Sequence, residues 1–176
     1  GGGGSEAGPI AAGSGQASGV FVSADPAVGW TSIGVPADAG GNVNLGNQGN
    51  RNFSLVADPT QLGIYFVAGD AGGGAPAHIV RSDGVGGWVS VVGAGASNSS
   101  PHADSRDMEF DAQGHLIQTD DGGIYRLVNP NGTMGGSTSD DPQWKSVVGN
   151  IRPTEVISAA YDSLNNVLLI GNQDTY

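Results

Sequence analysis

The residues with the most chemistry in this chain lie in two short runs. One is His102-Ala103-Asp104-Ser105-Arg106, and the other is Thr119-Asp120-Asp121-Gly122-Gly123-Ile124-Tyr125-Arg126. Neighbouring carboxyl groups of this kind can cap a tight turn through bonds to backbone N–H groups, or hold a divalent cation. On an extended segment His102 and Asp104 share one side. With Asp107 close in sequence and His115 one strand away, they could also take a metal, or form a hydrogen-bonded element at the entry to a strand. Calcium suits oxygen-rich loops better. Its candidate ligands are Asp120, Asp121 and Asp174, the last in Gly171-Asn172-Gln173-Asp174. Glycoside hydrolysis would need a pair of carboxyls about 5 Å or about 6.5–9.5 Å apart.

These runs must be held by strands. From His102 to Gly149 the pattern predicts four short strands in a meander, with Trp144-Lys145-Ser146-Val147 as the last. Residues 53–93 predict the same unit. It runs through Phe53–Asp58, Gly63–Asp70, Ala77–Ser82 and Trp88–Gly93. Residues 20–34 predict the last two strands of such a unit, and residues 155–176 the first two. Asp38–Asn52 reads as a Gly/Asn-rich loop, and residues 1–19 as a flexible Gly/Ser-rich lead-in.

The repeat is measurable. Trp30, Trp88 and Trp144 each open Trp-x-Ser-Ile/Val, at spacings of 58 and 56 residues. Asp58, Asp111 and Asp162 each end a strand, 53 and 51 residues apart. A period near fifty in four-strand units is the pattern of propeller blades. The expected fold is therefore all-β, a β-propeller segment of antiparallel four-stranded blades. About three blades' worth of strands is short of the usual ring, so further blades or further copies of the chain are expected to complete it. Each repeated Trp is expected to pack its ring on the outer strands of its own blade.

Composition narrows the function. The 176 residues include 32 Gly, which disfavours long helices. Only six Lys and Arg stand against a net charge of -11, so nucleic acid is a poor partner. No apolar run is long enough to span a membrane as a helix. The chain has no Cys, which removes disulfides and thiolate metal sites.

The turn Ser23-Ala24-Asp25-Pro26-Ala27-Val28-Gly29-Trp30 resembles the Asp-box of sialidase-like (BNR-repeat) propellers. Ser23, Asp25 and Trp30 stand at that motif's spacing. Arg81-Ser82-Asp83-Gly84-Val85-Gly86-Gly87-Trp88 keeps Asp83 and Trp88. The third unit keeps Trp144 after a longer loop. The segment Thr119–Arg126 matches the Thr-Asp-x-Gly-Gly-x-Tyr-Arg context of xyloglucanase-like enzymes, which implies a catalytic role for Asp120, with Asp70 or Asp174 as the second carboxylate. Pro101–Arg106 adds to a likeness with bacterial extracellular propellers. On these motifs His102, Asp104, Arg106, Tyr125 and Arg126 are the implied binding residues. The three-Arg clamp and Phe/Tyr-Arg-Ile-Pro motif of true sialidases are missing. The resemblance implies a secreted or surface module that binds a glycan or protein, or serves structurally. The alternative it implies is a glycoside hydrolase.

Overall fold

The computed structural model describes residues 15–43, 48–71, 76–135, 138–150 and 154–175, with the backbone alone for 154–157 and 172–175. The described chain is all-β, apart from a single 3-10 turn at Ala94–Ala96. Among the described residues no helix is long and apolar enough to cross a membrane.

Two four-stranded antiparallel meanders form the body. The first contains β5 (Ser54–Ala57), β6 (Tyr65–Ala68), β7 (Ile79–Ser82) and β8 (Trp88–Ser90), in that order. The second contains β9 (Asp107–Phe110), β10 (Leu116–Asp120), β11 (Gly123–Val128) and β12 (Gln143–Ser146). Three two-stranded pieces accompany them. These are β1 (Phe21–Val22) with β2 (Thr31–Ser32), β3 (Ala37–Asp38) with β4 (Gly41–Asn42), and β13 (Thr154–Asp162) with β14 (Val167–Thr175).

The second of these, β3–β4, accounts for a departure from the sequence reading. Asp38–Asn52 is not all loop, because Ala37–Asn42 closes a small hairpin and Val43 is fully buried beside it. Nor are residues 15–19 loose: Ala17 exchanges two hydrogen bonds with the Asn42 side chain, at 3.2 and 2.7 Å. The rest of the expected lead-in, residues 1–14, lies outside the described residues.

Strand alternation explains the core. Phe66, Ala68 and Ile79 leave one face of the first sheet and meet Met108, Leu116, Leu127 and Trp144 of the second. Phe66 and Phe110 meet edge to face, with ring centroids 5.7 Å apart. Val67 and Val80 point the other way, against Val20, Val43, Ile33 and Trp88. The first strands of the two sheets, β5 and β9, lie beside each other, and buried Ser54 and Ser105 join their Oγ atoms at 2.6 Å.

The repeated Asp and Trp have distinct jobs. Asp58, Asp83, Asp111 and Asp162 each accept backbone N–H groups two to four residues on, closing their hairpins. Asp25 does the same for Ala27, while Ser23 Oγ donates to Gly29. Trp144 and Trp88 pack against residues of their own sheets and also reach the one before. Trp144 is buried and its Nε1 donates to Val91 O of the preceding sheet at 2.7 Å. Trp88 lies over Gly34, where an added Cβ would sit 3.7 Å from its Nε1. Trp30 has no earlier sheet to meet among the described residues and is 62% exposed.

Asp58 also fastens the two sheets. Its Oδ2 accepts Asn131 Nδ2 at 2.6 Å, and Asn131 Oδ1 accepts Arg81 Nε at 3.1 Å. Burial pushes the Asp58 pKa up, but bonds from Asn131, Thr60 and Gln61 outweigh it and leave the group below its ordinary value. The unfolded state therefore binds the Asp58 proton first as pH falls. Its stabilising effect is full above about pH 4 and is lost as pH drops through the folded-state pKa. Asp58→Asn is expected to flatten the acid limb of a stability-against-pH curve measured by urea unfolding. An unchanged limb would refute this role.

Candidate functional site

The site forms at the rim where β10 ends. Leu116, Gln118 and Asp120 alternate onto the same buried face, so the apolar packing of Leu116 gives way to polar groups toward the rim. β10 turns into β11 over Asp121-Gly122, with Asp120 paired to Gly123. Gly123 has φ 138°, which a side chain would strain. The segment that leads into β9 crosses above this turn. Ser105 N–H donates to Gly69 O and Arg106 N–H to Thr119 O, fixing 102–106 against both sheets.

These backbone bonds bring together residues far apart in sequence. His102 Nδ1 lies 2.6 Å from Asp121 Oδ1, and the Asp121 side chain is only 4% exposed. Asp120 Oδ1 accepts Gly122 N–H at 3.0 Å, and its Oδ2 accepts Gln118 Nε2 at 3.2 Å. Donor atoms of His102, Asp120 and Asp121 all lie within 4.8 Å of one another. A Cβ on Gly122 would sit 2.5 Å from His102 Cβ, so the imidazole rests directly on a glycine.

Electrostatics set the carboxyls apart. Burial pushes Asp120 up to about 7, against the pull of Gly122 N–H and His102. Burial also raises Asp104, and Asp121 and Asp70 reinforce it while Arg106 and His102 oppose it. Asp104 takes φ 63°, a left-handed conformation that Asp tolerates better than most residues. A rim of carboxyls and an imidazole can hydrogen-bond a polar ligand, or gather around a cation.

Of the expected site residues, His102, Asp120 and Asp121 come together, and Asp104 lies near enough to feel the charges of Asp121 and His102. Asp120 does cap its turn, as the structural alternative required, yet it also faces His102 and Gln118. Arg106 borders the group, with its Nη1 3.4 Å from Arg51 O. Tyr125 is opposite Gln118 in the ladder and packs against the core. Arg126 does not join the site. It pairs with Ile117 on the other face and lies 3.5 Å from Asp111. His115 is at the far end of β10, 3.1 Å from Asp111 Oδ2, and Asp107 is exposed, bonded to the N–H of Met108. The Asp174 side chain lies outside the described residues.

In the ladder Ala68 pairs with Ser54 as Thr119 pairs with Asp107, so Asp70 corresponds in position to Asp121. Gln118 has no role in the sequence reading. The signal for Gln118 was an amide at an inward position of an otherwise core-facing strand.

No protein-family model matches the chain, and no curated protein or solved structure matches it significantly.

Proposed function

We propose that this chain is a run of β-propeller blades from a secreted or cell-surface protein, with a binding role toward a glycan or protein partner. The ligand would meet the rim formed by His102, Asp104, Asp120 and Asp121. The observation that carries the binding role is the gathering of His102, Asp120 and Asp121, with Asp104 electrostatically coupled to them, at one rim where the segment between two successive sheets crosses the β10–β11 turn. An isolated turn cap would need only one of them.

Three features support the propeller reading. The two sheets repeat one strand order, their first strands are neighbours, and two of the three repeated Trp rings reach the preceding unit. The hairpins β1–β2 and β13–β14 fit as halves of further units, completed by other blades or by other copies of the chain. The exposed faces of Leu168, Leu169 and Ile170 on β14 and of Phe21 and Trp30 on the first hairpin suit such completion.

A glycan array with the chain and with Asp104→Asn tests the binding role. Binding to a subset of glycans, weakened at least tenfold by the substitution, is the expected result. A blank array together with no partner captured through the rim would overturn it.

The second reading is a glycoside hydrolase. It is favoured by Asp120, a carboxyl only 9% exposed with other carboxyls close by. Incubation with soluble polysaccharides, wild type against Asp120→Asn, decides this. Absence of any Asp120-dependent release of reducing ends removes the hydrolase.

A further inference from the structure

We propose that His102, Asp120 and Asp121, together with the amide oxygen of Gln118, bind one divalent cation of the zinc or manganese type. The proposal shares with the reading above the view that this rim is the working site, but needs no glycan and no catalysis.

The first observation is the donor set. One imidazole nitrogen and two carboxylate oxygens from two separate segments lie within 4.8 Å of one another. Metal bonds of about 2.0–2.2 Å place neighbouring ligand atoms roughly 3–3.5 Å apart, so closure by about an ångström completes the geometry. Asp121 and His102 already stand 2.6 Å apart, so the adjustment falls mainly on the Asp120 side chain. The backbone beneath is fixed by the β10–β11 ladder and by the bond from Arg106 N–H to Thr119 O.

The second observation is independent and concerns Gln118. Its side chain is 1% exposed, and its Nε2 is committed to Asp120 Oδ2. Its Oε1 is buried with no hydrogen-bond partner among the described residues. Leaving a buried carbonyl oxygen unsatisfied costs about 1–3 kcal/mol. The amide is held on Asp120, so this oxygen stands within a few ångströms of the carboxyl cluster, on the same face of β10. A cation there would satisfy Oε1 and offset the repulsion between Asp120 and Asp121 in the same step.

The donor types choose the ion. Imidazole with carboxylate and amide oxygens suits zinc or manganese, whereas calcium takes six to eight oxygens and rarely an imidazole. The other two His–Asp pairs, His78 with Asp38 and His115 with Asp111, form no such three-donor group among the described residues.

The test uses the whole chain, stripped with chelator and titrated calorimetrically with zinc, manganese and calcium chlorides. The expected result is one saturable site for zinc or manganese, with calcium at least tenfold weaker. His102→Gln and Asp121→Asn should each weaken the site at least tenfold, with unfolding midpoints confirming that they remain folded. Gln118→Met, which keeps the side-chain volume, should weaken it by a smaller factor and serves if either of the others fails to fold. No saturable binding, binding unchanged by all three substitutions, or calcium binding as tightly as zinc and manganese would each overturn the proposal. Glycan binding measured in chelator reports separately on the rim, so loss of one property does not conceal the other.

Discussion

Trp144→Ala is expected to destabilise the protein by about 3–5 kcal/mol, the usual cost of emptying a buried tryptophan site. Two losses add. The indole is 5% exposed and packs among Val91, Met108, Leu116 and Leu127 in the space between the two sheets. Its Nε1 also gives up the bond to Val91 O, leaving that carbonyl short of a donor. The same substitution at the two other repeats provides an internal scale. Trp88→Ala should cost less, since Trp88 is only half-buried and its Nε1 makes no hydrogen bond among the described residues. Trp30→Ala should stay within about 0.5 kcal/mol in the isolated chain. Urea unfolding of the three variants measures the series. Equal effects, or the largest at Trp30, would contradict the view that these rings act by bridging one sheet to the next.

That series also shows what the sequence could and could not disclose. The repeat of Asp was legible because that residue serves a hairpin geometry that recurs. An Asp at a hairpin closes it wherever it stands, so Asp58, Asp111 and Asp162 were read correctly as strand ends. The partner of each Trp was not legible, because which sheet an indole covers depends on how units are stacked, and that information is spread over many weak contacts. The β3–β4 hairpin was hidden for a related reason. Its two-residue strands carry no alternation, and it is held by side-chain bonds such as Asn42 to Ala17 and His78 to Asp38.

At the site the outcome was mixed on the same grounds. His102, Asp104, Asp120 and Asp121 were legible as residue types, and their meeting follows from the short β10–β11 turn and the crossing segment. Arg126 was drawn in by its place in a motif. Strand alternation sends it to the opposite face, as counting two residues at a time from Gln118 along the ladder would have shown.

Gly122→Ala is expected to dismantle the site while leaving the sheets folded. An added methyl would lie 2.5 Å from His102 Cβ and 2.7 Å from its Cγ, well inside contact distance. The obstacle is the root of the imidazole rather than a flexible tip, so the whole residue must move. Overpacking of this kind costs about 1–3 kcal/mol. That is less than the Trp144 substitution, and the functional loss is expected to exceed it. Displacing His102 breaks its 2.6 Å contact with Asp121, a carboxyl only 4% exposed, and removes the charge that draws the Asp120 pKa down. The Asp120 carboxyl should then titrate still higher, because burial and the neighbouring Asp121 charge both oppose its ionisation and one of the influences favouring it is gone. Proton NMR of His102 in wild type and variant, with carboxyl carbon shifts of Asp120 followed against pH, reads both changes. An imidazole resonance and an Asp120 titration identical to wild type in a folded Gly122→Ala protein would show that the glycine merely ends a strand. An upward displacement of the Asp120 midpoint, with the sheet core unperturbed, would show that a single missing methyl group is what lets His102 reach the carboxyls.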